Sequence, residues 1–319
     1  MLQSVNKTKS SGNATYRTSP WSEQVRSSRS PLWKSATYAI LRGLWDRQAR
    51  KGIDVAVLPE AVSKVISERG YPLQFRRRWA TSGFDVGIST ILVQGTGNGW
   101  DVVSWASLRP KAIIAVDLFS FQSWPEIRSY CSQEFGTTVE FVTSPLEANF
   151  GLKPCSIDLV VSDAVYEHCE DLAAVMRETH RILRSGGRVY ANYGPLWYCA
   201  AGDHFSGRES LESSYNHIVL TAGSYAEYVQ KQRRDKENFQ DGARYIELDL
   251  FSRLVTNEYI QIYQSTGFTI EDLWLEVSAR AVEFKRQYAL KFNEVLNRVT
   301  KNVSANDLLI KAHHLRMRK

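Results

Sequence analysis

Five short apolar segments alternate with helical patterns between residues 88 and 198, and this alternation limits the folds open to the chain. The segments cover 89–95, 111–118, 137–144, 156–163 and 187–194. Their apolar and β-branched residues are typical of strands, and helical spacing separates them, as in LAAVMRETHRIL. Strands that are apolar on both faces form a parallel sheet covered by helices on both sides. We therefore predict an α/β domain.

The regions flanking this core carry other patterns. VLPEAVSKVISERG spaces its apolar residues near a helical period, so residues 36–85 are interpreted as an N-terminal helical cap. Residues 200–255 are polar and charged and are expected to form a lid insertion of helix and loop. The remaining chain predicts a helix at 256–267, a strand at 268–278, a long helix at 281–299 and a final strand at 308–317. The last two strands can close the sheet with an antiparallel edge pair, and sequence alone does not fix their order.

Charge separates the first residues from the rest. Residues 1–51 hold ten Lys or Arg against two acidic residues, whereas the whole chain has a net charge of +6. The main body is thus slightly acidic, and its overall charge does not argue for nucleic-acid binding. Residues 1–35 are interpreted as a basic, disordered tail, with an organelle-targeting peptide or a nucleic-acid arm as alternatives.

Apolar runs and cysteines restrict the compartment. The longest apolar runs fall far short of the roughly 18 residues that a membrane span requires, so we expect a soluble protein without a membrane partner. The four cysteines include no CxxC pair, a pattern that favours reduced thiols, no metal and a cytoplasmic location. The oligomeric state stays open, with a homodimer as one option.

The turn ILVQGTGNGWDVV joins the first core strand to a helix. Glycines let the backbone approach a ligand closely, and a following helix start favours a negative group. The spacing is GxGxG, and Trp100 stands where a dinucleotide site needs its third glycine. The next strand ends at Asp117, whose carboxylate can accept hydrogen bonds from a ribose diol. Loop, helix and acid together predict a nucleoside site.

The order of motifs makes the prediction more specific. GTGNG, AVDL, SIDLVVSDAVYEHCED and HRILRSGGRVYANYGPLW follow one another along the chain. This series resembles the class I S-adenosylmethionine-dependent methyltransferases and, more narrowly, the methyltransferase type 11 group, over residues 88–198. The resemblance implies a Rossmann-like, seven-stranded, mostly parallel sheet with helices on both faces, with 36–319 as the methyltransferase domain.

The resemblance also implies which residues hold the cofactor, S-adenosyl-L-methionine. The glycine loop would line its methionyl part, Asp117 and Leu118 would contact the ribose and adenine, Ser144 and Leu146 the adenine edge, and Asp163 and Ala164 the methionine end. The loop residues are Gln94, Gly95, Thr96, Gly97, Asn98 and Gly99.

One position departs from the family pattern. The family usually has an acid two residues before the first glycine, where this chain has Val93. Either Asp101, Asp163 or Glu167 takes over that acid's role, or the cofactor binds weakly.

Histidines are the candidates for proton transfer, because a hydroxyl nucleophile benefits from a positioned base. His204 lies in a loop ten residues after Gly194, next to Asp203, and is either a base or a polar surface residue. His168 follows Glu167 near a helix start, where packing or capping is the plainer interpretation.

Tyr193, Trp197 and Tyr198 could line a substrate pocket or belong to the core. The basic run 231–236 is most simply a solvated helix face.

These observations lead to one expected function and several rivals. We expect methyl transfer to a small molecule or glycan in biosynthesis, most simply at oxygen, by family analogy and through His204. A binding or scaffold protein that has lost catalysis is the first alternative, supported by Val93. A nucleic-acid methyltransferase would use the basic tail, although a nucleic-acid partner is not expected. An NAD-linked oxidoreductase is disfavoured by Trp100.

Overall fold

The computed structural model describes residues 34–148, 151–233, 243–299 and 302–319. Its centre is an eight-stranded sheet in the order β1-β7-β8-β6-β5-β2-β3-β4. The predicted α/β class and mostly parallel sheet are confirmed, but the number of strands is eight and not seven. The strands are β1 (Lys64–Ser67), β2 (Thr90–Gln94), β3 (Ala112–Asp117), β4 (Thr138–Thr143), β5 (Ile157–Asp163), β6 (Leu183–Tyr193), β7 (Thr269–Val277) and β8 (Ile310–Arg318).

Eleven α-helices are assigned within the described residues. They are α1 (Ala36–Gly52), α2 (Leu73–Ala80), α3 (Trp100–Ala106), α4 (Trp124–Phe135), α5 (Leu172–Ile182), α6 (Asn216–Val219), α7 (Ala222–Gln232), α8 (Ala243–Glu247), α9 (Thr256–Ser265), α10 (Ala279–Gln287) and α11 (Ala289–Arg298). Side-chain caps begin several of them. The Asp171 carboxylate, for example, accepts a hydrogen bond from the Ala174 N–H at the start of α5 (2.8 Å).

The additional strand lies where the sequence predicts a helix. Residues 57–70 contain β1, which pairs in parallel with β7. Pro59 cannot donate a helical hydrogen bond, and the β-branched residues Val65 and Ile66 suit a strand. The helical interpretation of this stretch is therefore wrong. The rest of the predicted cap does contain helices, since α1 and α2 flank β1.

Two further expectations about the C-terminal region are wrong in detail. The predicted long helix at 281–299 divides into α10 and α11 at Tyr288, whose φ of −125° and ψ of 52° are not helical. Strand β8 does run antiparallel to β6 and β7, but it lies between them. Because β1 adds outside β7, the antiparallel strand is interior and not at an edge.

Hydrophobic clusters cover both faces of the sheet, and a smaller one lies within the insertion. Helices α5 and α9 pack on one face, and α3 and α4 pack on the other. The insertion has a small core of its own, formed by Phe205, Tyr228, Val229 and Ala243. Among the described residues, no helix combines the length and apolar character needed to cross a bilayer. The predicted tail lies almost entirely outside the described residues, as do positions 234–242 of the insertion.

Candidate active site

The glycine loop connects β2 to α3 at the C-terminal edge of the sheet, where ligands of open α/β folds bind. Gly95 has a φ of +69°, and a Cβ there would lie 2.1 Å from Cγ2 of Val165. A side chain is thus excluded both by backbone conformation and by the neighbouring strand–helix turn. Gly97 is also left-handed (φ +50°), but its Cβ direction is open.

Asp117 fixes the loop from the end of β3. Its Oδ2 accepts a hydrogen bond from the Gly97 N–H (2.7 Å), and its Oδ1 accepts one from the Phe119 N–H (2.9 Å). Burial raises the pKa of Asp117, and these two N–H donors oppose that rise. Each carboxylate oxygen keeps a second lone pair for another donor, so the geometry leaves the predicted ribose contact available.

Six of the predicted cofactor residues meet around one cavity of about 230 Å³: Gly95, Gly97, Asp117, Leu118, Leu146 and Ala164. The other six, Gln94, Thr96, Asn98, Gly99, Ser144 and Asp163, lie outside its described lining. Gln94, for instance, is buried below the loop. It accepts a hydrogen bond from the Tyr166 hydroxyl (2.8 Å) and donates one to the Thr179 hydroxyl (2.9 Å). Gln94 therefore joins β2 to α5 and supports the loop from beneath.

Apart from His168, the sequence did not single out the other residues that line this cavity. Aromatic and apolar walls come from Phe119, Phe121, Pro145, Val165, Tyr245 and Leu250. Glu147, Cys169 and Glu170 also contribute. Phe119 follows Leu118 directly and Phe121 comes two residues later, which is a signal that sequence analysis could have used. Tyr245 and Leu250 come from the insertion, and their position depends on tertiary folding.

The two candidate histidines lie together. The sequence favoured His204 as the base, but the histidine that lines the cavity is His168. His168 lines the cavity, whereas His204 lies behind it, with 3.3 Å between the two Nε2 atoms. The Nδ1 of His168 is 2.8 Å from the Leu250 carbonyl and donates its proton to it. The ring of Tyr245 stacks on His168 with 4.0 Å between centroids. Burial lowers the pKa of both histidines to about 4, so the pair is neutral near pH 7.

Glu167 is a second buried titratable group beside the site. Its Oε1 accepts a hydrogen bond from the Gly194 N–H (2.9 Å), and its Oε2 is buried without a partner within the described structure. Burial raises the pKa of Glu167 to about 8, so the carboxyl is protonated at neutral pH. This neutral carboxyl follows β5 and is hydrogen-bonded to Gly194 after β6, so it is suited to holding the ends of β5 and β6 together.

The aromatic cluster after β6 belongs to the core. The Tyr193 hydroxyl is hydrogen-bonded to Nδ1 of His313 (2.8 Å) in the buried interior. Tyr198 is buried in a different cluster, against which Trp197 packs. Within the basic run, Lys231 pairs with Glu209 and Arg233 pairs with Glu247, as expected of a charged surface. Positions 234–236 of that run lie outside the described residues.

Residues 92–191 match the family model of a methyltransferase domain. The matched segment holds the glycine loop, Asp117 and His168, and it covers β2 through most of β6. No curated protein matches the chain.

Solved structures with a similar arrangement include an S-adenosylmethionine-dependent methyltransferase from Mesorhizobium loti (17% identity, 73% of this chain and 92% of that chain, TM-score 0.45). A second is 1,6-didemethyltoxoflavin-N1-methyltransferase from Burkholderia thailandensis with S-adenosylhomocysteine (15%, 89% and 88%, TM-score 0.43). A third is phosphoethanolamine N-methyltransferase 2 from Haemonchus contortus (15%, 80% and 54%, TM-score 0.46).

The domain match, together with the loop and the sheet that carries it, defines a class I methyltransferase domain. The chain is accordingly an S-adenosylmethionine-dependent methyltransferase, with S-adenosyl-L-methionine as its cofactor.

Proposed function

We propose that this methyltransferase methylates a hydroxyl group of a small, uncharged or cationic acceptor. The observation that carries the proposal is the position of His168, which lines the same cavity as Asp117 and the glycine loop and is backed by His204. A neutral imidazole at this place can accept the proton of a hydroxyl nucleophile.

The cavity has two ends: the predicted cofactor residues around the glycine loop form one, and the histidine pair forms the other. We propose that Asp117 binds the ribose diol, while Leu118 and Leu146 flank the adenine, because all three line the same cavity. Gly95 and Gly97 would let the backbone approach the remainder of the molecule. The bound cofactor supplies an activated methyl group on a sulfonium.

The protein's task is then to align the acceptor and to take up its proton. With the cofactor bound, the acceptor oxygen would form the new bond to the methyl carbon, and the electron pair of the broken carbon–sulfur bond would stay on sulfur. The hydroxyl proton passes to Nε2 of His168. That atom can accept because Nδ1 already donates to the Leu250 carbonyl. When His204 carries its own proton on Nδ1, its Nε2 accepts a hydrogen bond from the Nε2–H of the protonated His168 and stabilises it.

The charge of the lining supports the acceptor class. Asp117, Glu147 and Glu170 are the charged side chains of the described lining, and all are acidic. Phe119, Phe121 and Tyr245 add aromatic walls. An acidic, aromatic cavity favours neutral or cationic molecules. It disfavours a polyanion, which weakens the case for a nucleic-acid acceptor.

The insertion is proposed to act as the substrate lid. Tyr245 and Leu250 belong to residues 200–255 and border the cavity, and the guanidinium of Arg244 lies 3.3 Å from the centre of the Phe119 ring. These contacts support a lid that excludes water and selects the acceptor.

The test compares histidine variants on a panel of phenols, catechols, sugars and amines with an isotopically labelled methyl donor. His168→Gln should lose at least about 100-fold in kcat, and His204→Gln about tenfold, because it positions His168 and does not contact the acceptor. S-adenosylhomocysteine affinity should stay within about twofold in both. His180→Gln changes a half-buried histidine of α5 outside the described cavity lining and serves as the control.

The pH profile gives an independent check. Because the His168 pKa is lowered to about 4, the acid limb of kcat/KM should not begin until well below pH 6. Full activity of His168→Gln, or methylation at nitrogen or carbon, would refute the proposal. Absence of measurable S-adenosylhomocysteine binding to the wild type would favour the scaffold alternative.

A further inference from the structure

A buried ionic cluster lies beside the glycine loop, at the C-terminal ends of β2 and β5. We call its four members, Arg76, Arg77, Asp101 and Asp163, the ionic cluster. Nη1 of Arg77 donates to Oδ2 of Asp163 (2.6 Å), and its Nη2 donates to Oδ1 of Asp101 (3.0 Å). Nη1 of Arg76 donates to Oδ1 of Asp163 (3.2 Å). Since β2 lies between β5 and β3, this cluster and Asp117 flank the loop on opposite sides.

Two members of the ionic cluster have their hydrogen-bonding capacity largely used within the protein. The Arg77 side chain is only 2% exposed. Its Nε donates to the Ser104 hydroxyl (3.0 Å), and its guanidinium lies 4.1 Å from the Trp105 ring centre. Asp163 accepts from both arginines and also from the Tyr190 hydroxyl (3.0 Å). Arg77 and Asp163 therefore act as the internal frame of the cluster.

The other two members keep free capacity. Nε of Arg76 is buried and has no hydrogen-bond partner in the described structure. Asp101 uses Oδ1 for Arg77, its side chain is 32% exposed, and within the described residues its Oδ2 accepts no hydrogen bond. An arginine and a carboxylate that are both incompletely paired are thus linked through Arg77 and Asp163, and their charges complement the carboxylate and ammonium of an α-amino acid.

The position of the cluster matches one end of the cavity. Ala164, which follows Asp163 directly, lines the cavity together with Gly95 and Gly97. Asp101 lies two residues beyond Gly99, in the first turn of α3. A ligand whose ribose meets Asp117 would extend across the glycine loop toward this side. Val93, where the family has its acid, is buried in the core at 1% exposure and contributes no charge.

We propose that Arg76 binds the carboxylate of the cofactor's methionyl moiety and that Asp101 binds its ammonium group, in place of the acid missing at Val93. The inference rests on the proposed cofactor orientation. Arg77 and Asp163 position these two side chains, and helix α2 of the N-terminal cap thereby becomes part of the cofactor site. The alternative is a purely structural cluster that fastens α2 to the sheet.

Three ligands separate these possibilities in equilibrium binding measurements by calorimetry. S-adenosylhomocysteine carries both charged groups, decarboxylated S-adenosylmethionine carries the ammonium alone, and 5′-methylthioadenosine carries neither. Arg76→Gln should weaken S-adenosylhomocysteine about tenfold and leave the other two ligands within about twofold. Asp101→Asn should weaken the first two ligands by about five- to tenfold and leave 5′-methylthioadenosine unchanged.

Two control variants complete the design. Arg78→Gln changes an exposed arginine of the same helix and should leave all three affinities unchanged. Arg77→Gln breaks the frame and should lower the melting temperature and weaken all three ligands.

Equal losses across the three ligands in Arg76→Gln, or affinities like the wild type in Arg76→Gln and Asp101→Asn, would overturn the assignment while leaving the cofactor site intact. If the wild type bound none of the adenosine ligands, the proposed cofactor site itself would fail, and this assignment with it.

Discussion

The two ends of the cavity are built by different means. At the glycine loop, Gly95, Gly97 and Asp117 lie within 23 residues of one another, and one strand–turn–helix unit with the next strand positions them all. At the histidine pair, His168 depends on His204, Tyr245 and Leu250, which are 36 to 82 residues away in sequence. Local backbone geometry sets the first end, and packing of the insertion sets the second.

This difference teaches where the protein can vary. A loop fixed by backbone conformation tolerates little substitution at Gly95, because a positive φ and a Cβ 2.1 Å from Val165 exclude a side chain there. An end assembled from side chains of an insertion can change its shape without disturbing the sheet, and this freedom suits the acceptor side of a methyltransferase. Changes at the first end should therefore abolish cofactor binding, whereas changes at the second should alter acceptor use.

The largest effect is expected from Gly95→Ala. The alanine must adopt a left-handed backbone conformation, and its methyl group would lie 2.1 Å from Val165. Together these two effects should cost roughly 3 kcal/mol or more of stability. The affinity for S-adenosylhomocysteine should fall at least about 100-fold. Gly136→Ala has the same φ of +69° with open space around it, so it should show only the smaller backbone cost. Equal losses of stability in the two variants would contradict the packing argument. Calorimetry and thermal unfolding measure both quantities.

Glu167 precedes His168 at the second end, and Glu167→Gln tests it through the pH dependence of the free energy of unfolding. The unfolded carboxyl titrates near pH 4.5 and the folded one near 8, so between these values the folded state keeps a proton that the unfolded state loses. The free energy of unfolding of the wild type should therefore fall as pH rises from about 5 to 8, by roughly 2–4 kcal/mol relative to the variant. Urea unfolding at several pH values measures this. Parallel curves would contradict it, and surface Glu134→Gln provides the control.

Asp117→Asn tests the first end without changing its shape. The variant loses the charge that accepts from Gly97 and Phe119, so S-adenosylhomocysteine and 5′-methylthioadenosine should both weaken by roughly 10- to 100-fold. This pattern differs from Arg76→Gln, which should affect only the ligand with a carboxylate. Unchanged 5′-methylthioadenosine binding would show that Asp117 does not bind the ribose.

Tyr245→Leu should give the smallest effect, confined to the second end. Loss of the ring stacked on His168 removes about 1 kcal/mol, so the acceptor KM should rise a few-fold while S-adenosylhomocysteine affinity stays unchanged. Tyr245→Phe keeps the stack and should restore the wild-type KM. A large loss of cofactor affinity in Tyr245→Leu would remove the distinction between the two ends.

Periodicity identified the strands of the matched segment because each is short, apolar and bounded by turns. The same method failed at β1. Residues 57–70 have helical spacing, yet they form a strand because β7, more than 200 residues later, offers its edge. It also failed to divide α10 from α11 at Tyr288. Tertiary pairing and packing override local spacing, so these features needed the folded structure.

For the candidate site, the sequence by itself determined the glycine loop, Asp117 and the two histidines as residues of interest. It could do so because loop conformation and strand-end position are local properties. Only the tertiary structure decided that His168 and not His204 lines the cavity, that Tyr245 and Leu250 border it, and that Arg76 and Arg77 reach Asp101 and Asp163. Those contacts join segments far apart in sequence, and their pairing depends on how the buried surfaces of the whole chain fit together.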